Sequence, residues 1–384
     1  MDLDFTPAER EFRAEVRDWL ARHVPAAPLP SMDTREGFEA HREWERLLAA
    51  DRLSVVSWPV EYGGRGASLV EWLIFEEEYW AAGAPGRVGQ NGIFLLAPTI
   101  FSYGTAEQRE RFLPAMARAD EVWAQAWSEP EAGSDLAALR SRAERVEGGW
   151  RLYGQKTWSS RACYAGWGFG LFRTGPASAR HRGLTYFMFP LADVAVRPIA
   201  QLDGEHGFAE LFFDGVEVPD DLVLGAPGEG WRIAMATTSS ERGLTLRSPG
   251  RFTATADRLV RLARSGGTEG TDPALADQVA RAWLDAEAYR LHTFGTARRL
   301  AAGEEIGSAS SMGKVFWSEL DVRMHTLALR LLGERGLLDG GAPEAEDDGR
   351  WLDGFLFSLA GPIYAGTNEI QRNIIAERVL GLPR

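Results

Sequence analysis

Three short segments of the sequence carry residue types that could hold a planar or anionic ligand. The first runs from residue 126 to 135, where small residues, a proline turn and two hydroxyls, Ser128 and Ser134, stand close together. Backbone N–H groups in such a turn can form a cradle for a carbonyl or a phosphate. A polar turn that only leads into the next element explains the same residues, so this segment alone leaves both interpretations open.

The second segment, residues 154–160, places Trp158 directly before the hydroxyls of Ser159 and Ser160. An indole can stack on a planar ring while neighbouring hydroxyl groups hydrogen-bond to the edge of that ring. Ordinary core packing of the tryptophan is the alternative. Without further context the pattern does not choose between the two.

The third segment, residues 361–372, contains Thr367 between a glycine and an asparagine. Threonine is a favoured N-cap residue, and the approach to a helix through Gly-Thr leaves backbone N–H groups facing a ligand. A helix cap with no ligand is the alternative. This segment is therefore a third candidate site near the end of the chain.

Helices are predicted to position the first and third parts of the chain. Thr6, followed by Pro7 and Glu9, has the form of a capping box that opens a helix, and so does the stretch 105–108. Helical patterning returns in four long segments after residue 230. They lie near 230–263, 273–302, 307–333 and 351–380. Long helices with short connections predict a four-helix bundle.

The middle of the chain is predicted to form strands. Residues 142–146 and 150–154 flank Glu-Gly-Gly, which is a hairpin signal. Short aromatic or β-branched runs follow at 184–189, 194–198 and 210–218. We therefore predict an α+β multidomain fold with an N-terminal α-helical domain, a central antiparallel β-barrel-like domain and a C-terminal four-helix bundle. The predicted boundaries are 1–119, 120–228 and 229–384.

Composition excludes several classes of protein. The 42 basic and 55 acidic residues give a net charge of -13, which disfavours nucleic-acid binding. The single cysteine, Cys163, excludes a disulfide framework, and the six scattered histidines argue against a metal site. No apolar stretch approaches the roughly 20 residues of a membrane-spanning helix. The polar N-terminus is unlike a signal peptide, so we expect a cytoplasmic protein.

The basic residues are unevenly divided between the two long cationic types. Only Lys156 and Lys314 are lysines, and the other 40 of the 42 basic residues are arginines. We attribute this bias to the codon usage of a GC-rich genome rather than to chemistry.

Taken together, in this order and spacing, the three segments resemble the acyl-CoA dehydrogenase family. Further stretches extend the resemblance over nearly the whole chain: Trp-Pro-Val-Glu-Tyr-Gly-Gly at 58–64, Tyr-Gly-Thr-Ala-Glu-Gln at 103–108, Arg-Phe-Leu-Pro at 111–114, Gly-Glu-Gly-Trp at 228–231 and residues 360–381. The resemblance implies bound FAD and a homotetramer or dimer. It also implies an acyl-CoA or acyl-carrier-protein thioester as substrate and an electron-transferring flavoprotein as electron acceptor.

The resemblance also implies residue roles. Ser128 takes the place of a threonine that usually bonds the flavin ring edge, Trp158 lies beside the ring, and Arg330 lies where a neighbouring subunit's FAD pyrophosphate is usually contacted. The implied cofactor contacts are Gln125, Trp127, Ser128, Ser134, Trp158, Ser159, Ser160, Arg330, Leu332, Gly333, Thr367, Asn368 and Glu369. The implied substrate contacts are Ser134, Arg242, Tyr364, Ala365 and Gly366.

The catalytic base is the main departure from the family pattern. Many members have a glutamate immediately before the Gly-Thr of the last loop, where this chain has Ala365. A minority, including isovaleryl- and long-chain-type members, carry the glutamate before an arginine on the first bundle helix. That position is Glu241 here, followed by Arg242, and we predict Glu241 to be the base. An exposed glutamate paired with a nearby arginine is the alternative.

A second departure concerns the family's Arg-x-x-Phe-Gly element, which reaches the partner subunit's FAD. The stretch 281–295 offers Arg281 and the pair Phe294 and Gly295 without that spacing. Three functions stay open. The first is FAD-dependent dehydrogenation of an acyl thioester, whose acyl group could be bulky, branched, steroid-derived or carrier-bound. The second is an oxidase or monooxygenase on the same fold, and the third is a non-catalytic partner subunit of a hetero-oligomer.

Overall fold

The computed structural model describes residues 4–242, 248–265, 272–304 and 307–383. The chain divides into two compact units, each assembled from segments that are distant in sequence. The sheet unit combines residues 25–67 and 85–241, and the helical unit combines the described parts of residues 1–24, 68–84 and 242–384.

The helices and strands of the described ranges follow the order that the sequence predicts: helices first, then strands, then helices again. The helices are α1 (Pro7–His23), α2 (Arg35–Ala50), α3 (Leu69–Ala81), α4 (Ala97–Tyr103), α5 (Ala106–Ala117), α6 (Gly230–Arg242), α7 (Pro249–Ser265), α8 (Pro273–Ala301), α9 (Ser310–Leu332), α10 (Arg350–Ser358) and α11 (Asn368–Ile374). The strands are β1 (Trp123–Ala126), β2 (Arg142–Val146), β3 (Gly149–Ser160), β4 (Trp167–Arg173), β5 (Leu184–Pro190), β6 (Ala195–Ile199), β7 (Phe208–Pro219) and β8 (Val223–Leu224).

The eight strands form one sheet in the sheet unit, in the order β6-β7-β3-β2-β4-β5-β8, with β1 paired to β4. The predicted hairpin is confirmed, because β2 and β3 pair antiparallel around the turn at Glu147 and Gly148. The sheet is mixed rather than wholly antiparallel, as β1–β4 and β2–β4 pair parallel. Those two pairings join strands that no short turn connects, so local turn signals do not reveal them.

An aromatic core lies against this sheet. Phe172, Phe187, Phe189 and Phe213 are all buried. The ring of Phe213 meets that of Phe172 at 5.0 Å and that of Phe189 at 5.2 Å, both edge to face. Such pairs stabilise a core by about 0.5–1.5 kcal/mol beyond the burial of their area. Because the core rings come from β4, β5 and β7, they hold together the strands that neighbour β1 and β3.

Capping residues begin helices in both units as predicted. Thr6 Oγ1 accepts the Glu9 N–H at 3.2 Å while the Thr6 N–H donates to the Glu9 carboxylate at 2.7 Å. Thr105 and Gln108 make the same reciprocal pair at the start of α5. Each box satisfies N–H groups that have no partner inside the helix.

The helical unit packs α7, α8 and α9 around a core that includes Phe252, Ala286 and Trp317. Helices α10 and α11 lie against α9, and α3 lies against α7 and α8. The first predicted bundle segment is divided, because α7 starts at Pro249, and proline favours the first position of a helix. The last segment is divided by the loop that leads to Thr367. No described helix is long and apolar enough to cross a membrane.

Candidate functional site

Two of the predicted segments are joined in the sheet unit. The N–H of Thr157 in β3 donates to the carbonyl of Ser128, just beyond the end of β1, at 2.9 Å. Ser128 is half-buried. Because Trp158 follows Thr157 directly, this hydrogen bond sets the backbone of Ser128 beside the strand that carries Trp158. The structure thus brings together the two residues expected to contact the edge and the face of a ring.

Trp158 stands on a β-bulge. The pairing of β3 with β7 shifts register between Lys156 and Ser159, so β3 has an extra residue there. Trp158 has a φ of +60°, a left-handed conformation that costs an L-residue about 1–2 kcal/mol. Its side chain is 59% exposed and meets the ring of Phe208 edge to face at 6.0 Å. The bulge therefore presents the indole at the surface, which excludes core packing as its role.

The other predicted ring contacts differ in exposure. Gln125 and Ser160 are half-buried, and Ser134 is exposed on the turn after β1. Ser159 is buried, and its Oγ has no hydrogen-bond partner among the described residues; the same is true of Nε1 of the buried Trp127. Buried polar groups are nearly always satisfied, so Ser159 Oγ and Trp127 Nε1 are two groups beside the ring-contact residues with which a ligand could hydrogen-bond.

A buried ion pair beneath these residues was not predicted from the sequence. Lys156 is fully buried, and its Nζ lies 2.9 Å from Glu129 Oε1. The same Nζ donates to the Leu171 carbonyl at 2.8 Å and to the Trp127 carbonyl at 3.3 Å. The ammonium therefore connects three parts of the chain: the end of β1, the turn after it and β4.

The Glu129 carboxylate is held by backbone donors as well. It accepts the N–H of Arg140 at 2.6 Å and the N–H of Ser141 at 2.9 Å. Burial works to raise the pKa of Glu129, but Lys156 and these donors outweigh burial and hold that pKa below its ordinary value. Burial lowers the pKa of Lys156 to about 8, while Glu129 acts in the opposite direction.

The two lysines of the chain lie at particular places in the structure. Lys156 and Lys314 are both fully buried; Lys156 lies in the second predicted segment, and Lys314 donates to Asn368 of the third. The sequence signal that could have identified these two positions is therefore the presence of a lysine where nearly all other basic residues are arginines. At both positions the lysine presents a compact cation rather than a planar guanidinium.

The predicted base lies on α6. Glu241 and Arg242 occupy the last turn of that helix, but their side chains are outside the described residues. Thr237, one helical turn before Glu241, is buried, and its hydroxyl lies 2.8 Å from the hydroxyl of Thr99 in α4. A hydrogen-bonded pair of hydroxyls thus holds α6 against α4 one turn below the predicted base.

A buried tyrosine connects this helix to the strand β1. Burial raises the pKa of the Tyr186 hydroxyl in β5 above its ordinary value, and the nearby Thr237 hydroxyl opposes that rise, although Tyr186 Oη makes no hydrogen bond among the described residues. The Tyr186 ring meets the indole of Trp127 edge to face at 6.2 Å. Within the sheet unit, α6 and the first ligand segment are therefore packed around the same side chain.

The third segment forms a tight loop in the helical unit. Thr367 caps α11 by accepting the Ile370 N–H at 3.3 Å, which confirms the predicted cap. The two residues before it, Ala365 and Gly366, have φ of +56° and +78°. Both of their carbonyls accept from the side-chain amide of Gln371, at 2.9 and 3.3 Å. The loop is therefore held in left-handed backbone by a side chain of the helix that it caps.

Asn368, expected near the adenosine end of a cofactor, makes its side-chain bonds within the protein. Its Oδ1 accepts from Lys314 at 2.8 Å and from Ser318 at 3.1 Å, and its Nδ2 donates to Glu319 at 3.4 Å. Glu369 is exposed. Asn368 thus anchors the loop to α9, whereas Glu369 is open to a ligand.

The end of α9 carries the residues expected at a neighbouring subunit's cofactor. Arg330 is exposed, Leu332 is buried, and Gly333 caps the helix with a φ of +60°. The pair Phe294 and Gly295 is buried within α8. An arginine is therefore available to a phosphate at the position of Arg330, and the buried pair is not.

Tyr364, expected at the substrate, lies near a partly buried ion pair. Arg251 of α7 interacts electrostatically with Tyr364 and lies 2.6 Å from Asp321 of α9. His325 Nδ1 is 3.3 Å from the other oxygen of that carboxylate. Burial works against the charge of Arg251, but Asp321 and Tyr364 raise its pKa overall. Among the described residues, no group of three His, Cys, Asp or Glu side chains could hold a metal ion.

Comparison with known proteins assigns all three parts of the chain. The family model for the acyl-CoA dehydrogenase N-terminal domain matches residues 6–120, the model for the middle domain matches 124–216, and the model for the C-terminal domain matches 228–380. Acyl-CoA dehydrogenase IpdE1 from Mycobacterium tuberculosis is 42% identical over 383 residues, covering 97% of this chain and 98% of that protein.

Two solved structures resemble the whole chain. The Tcur3481-Tcur3483 steroid ACAD is 28% identical with a TM-score of 0.88, and the match covers 100% of both chains. The ChsE4-ChsE5 complex from Mycobacterium tuberculosis is 31% identical with a TM-score of 0.84 and equally complete coverage. Both descriptions pair two differently named components, and neither supports the expected homotetramer.

Proposed function

Since the chain belongs to the acyl-CoA dehydrogenase family of oxidoreductases, we propose that it oxidises an acyl thioester to the 2,3-enoyl thioester, with FAD as its bound oxidant and Glu241 as the base. The observation that carries the proposal is the junction of the first two segments through the Thr157 N–H and the Ser128 carbonyl. This junction combines a ring-stacking surface and hydroxyl groups in one place.

The residues at this junction fit a flavin ring. The exposed indole of Trp158 supplies a flat surface, and the hydroxyl of Ser128 supplies a hydrogen-bonding group for the ring's edge. The unsatisfied Ser159 Oγ and Trp127 Nε1 are further polar groups of the same segments. When bound, FAD would accept the β hydrogen of the acyl group as a hydride at flavin N5.

Glu241 would take the α proton. Ala365 stands where many family members have their glutamate and cannot accept a proton, so the base must come from elsewhere. Proton abstraction from carbon needs a basic carboxylate, and a dry pocket raises the pKa of a carboxyl group. Thr237, one turn earlier, is buried, which supports a pocket without water beside this part of α6. Arg242 would lower that pKa unless its side chain turns away.

The test of the base is Glu241→Gln. We expect this variant to bind FAD normally and to lose turnover by about 10²–10⁴, the usual contribution of a general base. The matched control is Glu229→Gln, because Glu229 is a half-buried glutamate that pairs with Arg232 beside the start of the same helix. Near-normal turnover of Glu241→Gln would end the assignment.

We propose a bulky, ring-containing acyl group as the substrate, because a whole-chain structural relative is described as a steroid ACAD. The test is anaerobic titration of the purified yellow protein with straight-chain, branched and steroid acyl-CoA thioesters. Bleaching by the steroid thioesters alone supports the proposal, whereas bleaching by straight chains contradicts it. Bleaching by none would favour a carrier-bound substrate, and rapid oxygen consumption by the reduced protein would favour an oxidase.

We propose that the assembly contains a second, different chain of the same family, as the descriptions of both structural relatives pair two components. The helical unit carries large apolar side chains in solvent that a partner could cover. They are Leu284, Leu291, Met312, Phe316, Leu337, Ile363 and Leu380. The absent Arg-x-x-Phe-Gly element agrees with a cofactor contact supplied from elsewhere.

Mass measurement and FAD content, with and without a co-expressed homologue, test the assembly. A chain that purifies alone as a flavin-loaded homotetramer or dimer would contradict the two-chain proposal. Two results together would identify the chain as the non-catalytic partner. The chain alone would be flavin-free and inactive, and the Glu241→Gln substitution would leave the activity of the two-chain complex unchanged. An electron-transferring flavoprotein is the proposed electron acceptor in either active assembly.

A further inference from the structure

The ammonium of Lys156 has as many acceptors as it has donors. A lysine ammonium carries three N–H donors and no acceptor. Its three neighbours here are Glu129 Oε1 at 2.9 Å, the Leu171 carbonyl at 2.8 Å and the Trp127 carbonyl at 3.3 Å. The ring of Phe172, with its centroid 5.0 Å from Nζ, closes another side. This fully buried cation is therefore satisfied by the protein alone.

An arginine would not serve in this position. The guanidinium is planar with five donors in a rigid fork, whereas Lys156 meets three acceptors around one atom, two from the segment after β1 and one from β4. Arginine takes 40 of the 42 basic positions in this sequence. The lysine at this position therefore meets a geometric requirement that an arginine does not.

We propose that Lys156, with Glu129 as its counter-ion, is a positioning residue that sets the spacing between Ser128 and Trp158 at the flavin-ring site. This inference rests on the proposed function, because the ring is that of the proposed FAD. Lys156 touches neither the ring nor the substrate in this argument. It acts through the backbone that it holds.

The positioning has two contacts. On one side, Nζ holds the carbonyl of Trp127, the residue directly before Ser128. On the other side, Lys156 is itself part of β3, two residues before Trp158 and next to Thr157, whose N–H bonds Ser128. The side chain and the backbone of one lysine therefore span the two segments, just before the bulge where Trp158 leaves the sheet.

The pair can be removed without leaving a buried charge. Losing one partner of a buried ion pair destabilises a protein strongly, whereas replacing both by neutral groups of similar size is often tolerated. In the double variant Lys156→Met, Glu129→Gln, the glutamine oxygen can accept from one of the two N–H groups, that of Arg140 or that of Ser141, because these bond different oxygens of the carboxylate. The milder Glu129→Gln alone keeps the ammonium and its two carbonyl acceptors.

The experiment compares FAD binding by the apo-protein and the visible circular dichroism of the bound flavin. We expect the double variant to fold, to bind FAD at least tenfold more weakly and to change the flavin dichroism. We expect Glu129→Gln to shift both quantities in the same direction by less. In the loaded enzyme kcat should fall while KM for the thioester changes less than about twofold, since the thioester's own contacts are intact.

The matched control is Arg151→Met. Arg151 lies on the same strand, β3, and its substitution breaks an exposed ion pair with Glu217 of β7. It should leave FAD affinity and dichroism unchanged. Wild-type protein that takes up no FAD, either alone or with its co-expressed homologue, would refute the proposed function. Wild-type protein that binds FAD, with a folded double variant of equal affinity and dichroism, would overturn the positioning role alone. If the double variant does not fold, an unchanged Glu129→Gln overturns the role instead.

Discussion

The left-handed backbone of Trp158 gives a prediction that separates strain from side-chain contacts. Trp158→Gly and Trp158→Ala both delete the indole, so the loss of its partial burial and of its contact with Phe208 is common to the two variants. What differs is the backbone. Alanine at a φ of +60° keeps the strain, and glycine does not.

The magnitude follows from two opposing terms. Left-handed backbone costs an L-residue about 1–2 kcal/mol, which glycine is spared. Glycine loses more conformational freedom on folding, which costs it about 0.4–1 kcal/mol relative to alanine. We therefore expect Trp158→Gly to be more stable than Trp158→Ala by about 1 kcal/mol, although both bind FAD more weakly than wild type.

The assay is urea unfolding of the apo-proteins, followed by far-ultraviolet circular dichroism, so that bound FAD adds no stability to either variant. Arg151 provides an internal comparison, because it lies exposed on β3 and is not among the residues with positive φ. There the order should reverse, with Arg151→Ala more stable than Arg151→Gly. A Trp158→Ala as stable as Trp158→Gly would refute the assignment of strain to the bulge.

Three further outcomes follow from contacts described above. Arg251→Ala, which leaves Asp321 buried without this cation, should lower the free energy of unfolding by about 3–5 kcal/mol, whereas Arg281→Ala, which breaks an exposed pair, should change it by less than about 0.5 kcal/mol; denaturant midpoints distinguish them. Thr105→Ala should cost about 1 kcal/mol in the same assay through loss of a cap. The pKa of Glu129 in the folded state is below its ordinary 4.5, so the stabilisation that its ionised form gives the folded state is present above that pH and is lost on acidification. Glu129→Gln should therefore flatten the fall in the free energy of unfolding below about pH 4.5. An unchanged slope would contradict this.

Local patterns accounted for much of the fold. The capping boxes at Thr6 and Thr105 and the hairpin between β2 and β3 depend on residues only a few positions apart, so the sequence displays them directly. The parallel pairing of β1 with β4 depends on the intervening hairpin and could not be inferred from any short window. The division of the last helical segment depends on the left-handed conformation of Ala365, which the residue type alanine does not predict.

The candidate site was predictable as a set of segments but not as an arrangement. The motifs identify Ser128 and Trp158 as candidate ring contacts. Their connection through the Thr157 N–H is visible only in the folded chain. Lys156 and Glu129 are 27 positions apart, and nothing in either motif indicates that they meet. The exposure of Trp158 likewise follows from a bulge that needs the partner strand β7 to define it.

The burial of both lysines hides the lysine amines of the folded protein from reagents that attack primary amines. An acylating dye or an amine cross-linker therefore reaches neither Lys156 nor Lys314 in the folded state. Unfolding would add two reactive sites at once, one from the sheet unit and one from the helical unit. Amine labelling followed by peptide mass spectrometry would therefore report the opening of each unit separately, with an almost silent background.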